Sequence, residues 1–115
     1  MGKKQKEFNE YRTRMNERIL AEDHRVIKRV YSVDSLTYDQ DSALPRKTKE
    51  LLGLVASLVL RCDDCVKYHL AEASNAGNSR KDIVDAMSVG LVVGGTIVVP
   101  HLRRAIEFLD DMESI

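Results

Sequence analysis

Residues 46–69 read RKTKELLGLVASLVLRCDDCVKYH, and the rest of the chain is arranged around them. An apolar run from Leu51 to Leu60 stops at Arg61 and passes into Cys62-Asp63-Asp64-Cys65, with His69 one helical turn further on. Two cysteines three apart on a helix share a face, and a histidine four after the second lies on that face too. Glu50 precedes Cys62 by twelve residues and is the only carboxylate between Asp41 and Asp63. Both cysteines of the chain fall in this stretch, so its thiol chemistry must be here.

The chain has 115 residues, the size of one domain. A domain of that length buries roughly two-thirds of the surface its unfolded form exposes. Residues 1–115 read as a single all-α domain of about five to six helices, with N-terminal helices over 1–44 and a core carrying the cysteine pair over 45–115. The 18 basic and 18 acidic side chains are mixed along the sequence and cancel. That balance leaves no electrostatic footprint for nucleic acid or an anionic membrane. With no tryptophan and 5% aromatic residues, the core must be aliphatic. The opening MGKKQKEFNEYR is charged throughout and lacks the apolar segment of a signal peptide, so a cytoplasmic address is expected. In a reducing cytosol a lone CxxC more often catalyses or binds metal than staples a fold.

Phe8, Tyr11, Met15 and Ile19 recur at spacings of three and four, which predicts an amphipathic helix over 3–22. Its charges read as a solvated face. A second helix is expected over His24–Ser35 with Val26, Ile27, Val30 and Tyr31 as its apolar side, and His24 among charges reads as a surface residue. The polar residues 37–44 read as a turn that ends at Pro45. Proline suits the first turn of a helix, so the next helix should run from about Pro45 to about Leu60. Its apolar residues surround it, so it should be buried on most sides, by the domain, a partner subunit or both.

A further helix should begin at Cys62 or Asp63 and end before Gly77. Asp63 and Asp64 suit the positive end of its dipole. Ser79 with Asp82 resembles a capping box and opens a helix to about Val93. Gly94-Gly95 should break the chain. From Thr96 a last helix should carry Val98, Leu102, Ala105, Ile106, Leu109 and Met112 inward, with Arg103 and Glu107 paired outside and a kink near Pro100. The apolar run 86–100 is too short to cross a bilayer and carries the Gly-Gly break, with Asp85 and His101 at its ends. It reads as core and subunit interface, so a homo-oligomer is expected and no membrane partner.

A cysteine acts as its thiolate, and a helix N-terminus or a neighbouring base lowers its pKa. Cys62 and Cys65 both lie near a predicted helix start. His69 shares the face of Cys65, close enough to exchange a proton directly or through a water. A carboxylate such as Glu50, held in the preceding helix, could orient that imidazole, completing a nucleophile, base and orienter pattern. Other readings compete. The cysteines could be ordinary core residues, or could bind zinc with His69 and a fourth ligand from His24, His101 or a carboxylate. Glu50 could simply be a carboxylate favoured near a helix start.

Glu50, eleven intervening residues, Cys62-x-x-Cys65, three residues and His69 resemble the active-site signature of the carboxymuconolactone decarboxylase family, in particular its alkylhydroperoxidase-like (AhpD-like) branch. The resemblance covers about residues 46–110. It implies an all-α fold and a thiol peroxidase with four site residues: Cys65, Cys62, His69 and Glu50. On that pattern Cys65 attacks a hydroperoxide, Cys62 resolves the sulfenic acid into a disulfide, and His69 and Glu50 relay protons. An external dithiol or disulfide reductase would then attack the more exposed sulfur, expected at Cys62. No metal, flavin or haem cofactor is implied. Studied peroxidase members carry histidine directly before the second cysteine, where this chain has Asp64, and a carboxylate there tends to raise the thiol pKa. They also hold two copies of the helical unit and this chain one, so a hexamer is the expected assembly. The family's lactone decarboxylation is the alternative enzyme reading, without a dithiol, and a redox-sensing thiol–disulfide protein is the alternative outside catalysis.

Overall fold

Pro45 stands immediately before the helix that carries Glu50, where its missing N–H has no partner to lose. The structure, a computed structural model, describes residues 1–113. Its α-helices are α1 (Lys3–Leu20), α2 (Arg25–Tyr38), α3 (Arg46–Val59), α4 (Asp63–Asn75), α5 (Arg80–Gly94) and α6 (Val99–Met112), with a 3₁₀ turn at Thr96–Val98. There is no strand among the described residues, as an all-α fold requires.

The core lies where α3, α4, α5 and α6 meet. Glu50, Gly53, Leu54, Ser57 and Leu58 are the buried residues of α3. Their spacing of three and four marks the one stripe that the domain itself buries. Leu52 and Leu60 stay exposed on this chain. Leu54 and Leu58 pack into a cluster with Val66 and Leu70 of α4, Ile83 and Met87 of α5, and Phe108 and Leu109 of α6. Burying each such side chain contributes about 1.5–3 kcal/mol, so this cluster dominates the fold's stability. Gly90 of α5 faces Leu58, and a Cβ there would come within 3.3 Å of it; the missing side chain lets α3 and α5 approach closely.

The helix ends follow local chemistry. Ser79 Oγ accepts from the Asp82 amide at 3.1 Å, and Asp82 returns a bond to the Ser79 amide at 2.9 Å. This is the expected capping box with a shorter acid. Gly77 has φ +101, the left-handed turn that glycine tolerates at a helix end. Pro100 falls in the first turn of α6, because the 3₁₀ turn takes up Thr96–Val98. A proline in a first turn removes no helical bond, so it starts the helix instead of kinking it.

One other boundary and one pair differ from expectation. Helix α2 continues through Leu36, Thr37 and Tyr38, residues expected partly in a turn. The Thr37 hydroxyl bonds back to Val33 O at 2.8 Å, and Tyr38 finds cover against His69, so tertiary contact extends the helix. His24 is exposed as expected and caps α2, its Nδ1 accepting from the Val26 amide at 3.2 Å. Glu107 meets Lys4 of α1 at 2.6 Å rather than Arg103, because α1 lies along α6. Phe8 and Phe108 cross edge-on at 5.7 Å in that same seam. No helix among the described residues is long and apolar enough to cross a membrane.

Candidate active site

The turn between α3 and α4 builds the site. Arg61 takes φ +59, so the Arg61 amide bonds to Leu58 O and the Cys62 amide to Ser57 O, both at 3.0 Å. That is a Schellman ending in which a non-glycine residue accepts the left-handed position, at a cost of order 1 kcal/mol. The residue it delivers, Cys62, is at once the end of one helix motif and the N-cap of the next. Its Sγ accepts the Cys65 amide at 3.3 Å.

Cys62 and Cys65 are joined by a disulfide, with Cα atoms 5.3 Å apart. Cys65 is exposed and Cys62 half-buried, the reverse of the exposure expected from the sequence. The reason is the cap: an N-cap side chain folds back over the first helical turn to meet its amide, which shelters Cys62.

Glu50 of α3 and His69 of α4 lie behind this turn, 1% and 8% exposed. His69 Nδ1 is 3.0 Å from Glu50 Oε1. A carboxylate only accepts, so Nδ1 donates to Glu50 and Nε2 takes no part in that bond. A buried carboxylate needs further compensation. Arg46, one turn before Glu50, places its Nε 4.0 Å from Glu50 Oε2 and reaches Glu72 at 2.5 Å through Nη2. Arg46 Nε is buried without a hydrogen-bond partner among the described residues, so it faces Glu50 by charge alone.

Two tyrosines bracket the imidazole, each ring 5.2 Å from that of His69. Burial, then the charges of Glu50 and Asp34, push the Tyr38 phenol up. Tyr68 is pushed up to about 12 by burial first, then by Glu72, Glu50 and Asp34, while Arg12 above its ring at 4.1 Å pulls the other way. Gly53 makes room for this group. A Cβ there would lie 2.6 Å from His69 Cε1 and 2.8 Å from both His69 Nδ1 and Tyr38 Oη.

The fold therefore brings together Glu50 and His69 in one hydrogen bond, and Cys62 and Cys65 in another unit one turn away on α4. Arg46, Gly53, Tyr38 and Tyr68 were not singled out from the sequence. Arg46 was findable four residues before Glu50, and Gly53 as a glycine inside a strong helix pattern. Tyr38 has no local signal, since it comes from a different helix. His24 and His101, the other histidines weighed as metal ligands, sit elsewhere: one caps α2, and the other bonds Asp63 at 2.8 Å. Among the described residues no group of three or more His, Cys, Asp or Glu side chains is arranged to hold a metal ion.

The model of the carboxymuconolactone decarboxylase family matches residues 28–108, most of the chain, a span that includes Glu50, Cys62, Cys65 and His69. The chain belongs to the carboxymuconolactone decarboxylase family. Two crystal structures of TM1620 from Thermotoga maritima share its fold closely. One is 48% identical, with a TM-score of 0.90 and 95% of each chain covered. The other is 46% identical with a TM-score of 0.88, covering 94% of this chain and 91% of that one; it describes TM1620 as a family member with a suggested part in an antioxidative response. The family protein lpg0406 of Legionella pneumophila, at 19% identity and a TM-score of 0.82, shares the fold over 93% of this chain and 95% of its own. An uncharacterized protein of Cupriavidus necator, H16_B0147, is 25% identical over 75 residues, which is 65% of this chain. The match covers 66% of that relative's own length.

Proposed function

We propose that this chain is a thiol-dependent peroxidase that reduces hydroperoxides through the Cys62–Cys65 pair. The observation that carries the reading is the buried Glu50–His69 pair on the same helix frame as a redox-capable dithiol. A base oriented by a carboxylate, with its free nitrogen unpaired, is what a thiol nucleophile needs. The suggested antioxidative part of TM1620 agrees with it.

The steps balance as follows. His69 Nε2 takes the Cys65 proton, and the thiolate attacks the terminal O–O bond of ROOH. The sulfur becomes a sulfenic acid, and the leaving alkoxide takes the proton back to depart as ROH. The Cys62 thiol then attacks Cys65 sulfur, forming the disulfide and expelling water. An external dithiol attacks Cys65, the exposed sulfur, and a second thiol of the donor releases Cys65 in turn, regenerating both thiols and leaving an oxidised donor. Attack there expels Cys62 as a thiolate, which the Cys65 amide and the first turn of α4 stabilise.

The test is peroxide turnover with dihydrolipoamide or a thioredoxin-type donor, for the wild type and each cysteine variant. Many turnovers per chain, lost in both Cys62→Ser and Cys65→Ser, support the reading. Oxidation that stops after one equivalent with every donor overturns it in favour of a redox sensor.

A further inference from the structure

A second group of charged side chains meets at the start of α4, next in sequence to Cys62, and takes no part in the proposed proton relay. Asp63, directly after Cys62, is the first residue of α4. Its Oδ1 lies 2.8 Å from His101 Nδ1, and its Oδ2 accepts from Arg104 Nε at 2.8 Å. Arg104 Nη2 in turn sits 3.2 Å from His101 Nδ1. Each carboxylate oxygen thus has its own donor, and both donors come from α6, across 38 and 41 residues of sequence. Burial alone would push the Asp63 carboxyl up; the bonds from His101 and Arg104 outweigh it and hold the group below the usual carboxylate range.

The consequence lies in what Asp63 would do without them. A free carboxylate on the residue directly after Cys62 would oppose a thiolate in the first turn by like-charge repulsion. Paired with the Arg104 guanidinium it is neutralised, and the Cys62 sulfur is left with the favourable field of the first-turn amides. We propose that His101 and Arg104 are positioning residues for the dithiol, which hold and neutralise Asp63 and so set the reduction potential of the Cys62–Cys65 pair. Stabilising the thiolate stabilises the reduced form, which makes the pair more oxidising. The inference rests on reading the pair as a redox-cycling dithiol, whatever its oxidant.

The other titratable or charged groups on these elements are Asp64, Lys67, Tyr68, His69 and Glu72 on α4, Arg103, Glu107, Asp110 and Asp111 on α6, and Arg61 in the turn before α4. Among the described residues, Asp63 side-chain hydrogen bonds go to His101 and Arg104 only. Removing Arg104 therefore takes the counter-charge from Asp63 without deleting a partner of the Glu50–His69 bond.

The experiment equilibrates the full chain with defined mixtures of reduced and oxidised glutathione. Protein dithiol and one oxidised glutathione exchange to protein disulfide and two reduced glutathiones, and the two protein forms are trapped and weighed by mass spectrometry. Arg104→Gln should raise that equilibrium constant about tenfold, which is about 30 mV more reducing for a two-electron couple. Its iodoacetamide reaction should also titrate at higher pH. Asp63→Asn, which leaves Arg104 unopposed, should move both readouts the opposite way. Arg104→Lys should recover most of the wild-type value. Loosening of the turn by itself would shift Arg104→Gln and Asp63→Asn in the same direction, and that result overturns the proposal, as does a change below about twofold in both. If Arg104→Gln does not fold, Asp63→Asn decides it with Arg104→Lys as the reference that stays near wild type: a lower equilibrium constant in Asp63→Asn alone supports the proposal, and an unchanged or raised one overturns it. Neither readout uses a hydroperoxide. Opposite shifts without peroxide turnover would sink the peroxidase reading alone; turnover with unmoved potentials would sink this one alone.

Discussion

His69 Nδ1 on α4 lies 3.0 Å from Glu50 Oε1 on α3, and both side chains are withdrawn from water. A buried carboxylate is tolerable only while its partners remain. Glu50→Gln keeps the shape but gives up the carboxylate that accepts from Nδ1 and orients the imidazole. It should slow the first thiol oxidation by roughly 100-fold or more, and His69→Ala should do the same, as members of one general-base unit. Rapid-mixing kinetics with one equivalent of peroxide would measure this. Glu50→Ala should also cost about 1–3 kcal/mol of stability, because it leaves the buried His69 Nδ1–H without its acceptor.

Gly53→Ala tests the packing behind that pair. The new Cβ would fall 2.6 Å from His69 Cε1 and 2.8 Å from Tyr38 Oη, so one of the two must move. A loss of about 1–3 kcal/mol in denaturant unfolding is expected, together with a slower first oxidation step. Unchanged kinetics in a folded Gly53→Ala protein would show that Tyr38 gives way or that the position of His69 does not matter, and a Tyr38→Phe, Gly53→Ala double variant separates the two.

The two cysteines should divide the work. With Cys62→Ser, one equivalent of peroxide should still be consumed and a sulfenic acid trapped on Cys65, with no further turnover. With Cys65→Ser even the single event should be lost. The reverse pattern would assign attack to Cys62, the sulfur that accepts the Cys65 amide, and would make His69 irrelevant to nucleophile choice. In the wild type, mild oxidation should remove two hydrogens per chain, one for each sulfur of the pair.

Alkaline pH should unfold the protein in a defined window. The folded-state Tyr68 phenol is raised to about 12 by burial and neighbouring carboxylates, whereas an unfolded tyrosine ionises near pH 10. The raised group keeps its contribution below about pH 10 and loses it as pH climbs toward about 12. Thermal midpoints should therefore fall across that window, and Tyr68→Phe should flatten the slope. Tyr38, also raised, should leave part of it in place.

Association should cover the faces this chain leaves open. Leu60 is 77% exposed, Val92 82% and Val93 67%, with Leu52, Val89 and Ile97 also open. Apolar patches of that kind mark interfaces. We propose a homo-oligomer, and a hexamer on the single-copy argument. Light scattering should give a mass several times that of the chain, and Val92→Asp should lower it. A stable monomer at micromolar concentration would refute this.

Helix type and order were legible because apolar residues recur at helical spacing and the breakers Pro45, Gly77 and Gly94-Gly95 lie between the runs. The site was legible for a similar reason. Cys62, Cys65 and His69 lie on one continuous helix and its cap, where sequence spacing is spatial spacing. Glu50 was identifiable as the lone carboxylate of its helix, but its pairing with His69 depends on how α3 crosses α4. The places where expectation failed are those set by contacts between helices. Tyr38 extends α2 because His69 covers it, and Glu107 turns to Lys4 because α1 lies there. Cys62 is sheltered because its sulfur caps α4, a choice of rotamer that residue order does not specify. Asp63 read as a dipole carboxylate, and only the packing of α6 gives it His101 and Arg104. Periodicity and turn chemistry act within a few residues along the chain, so sequence carries them; side-chain pairing across helices depends on crossing angle and register, which only the assembled core determines.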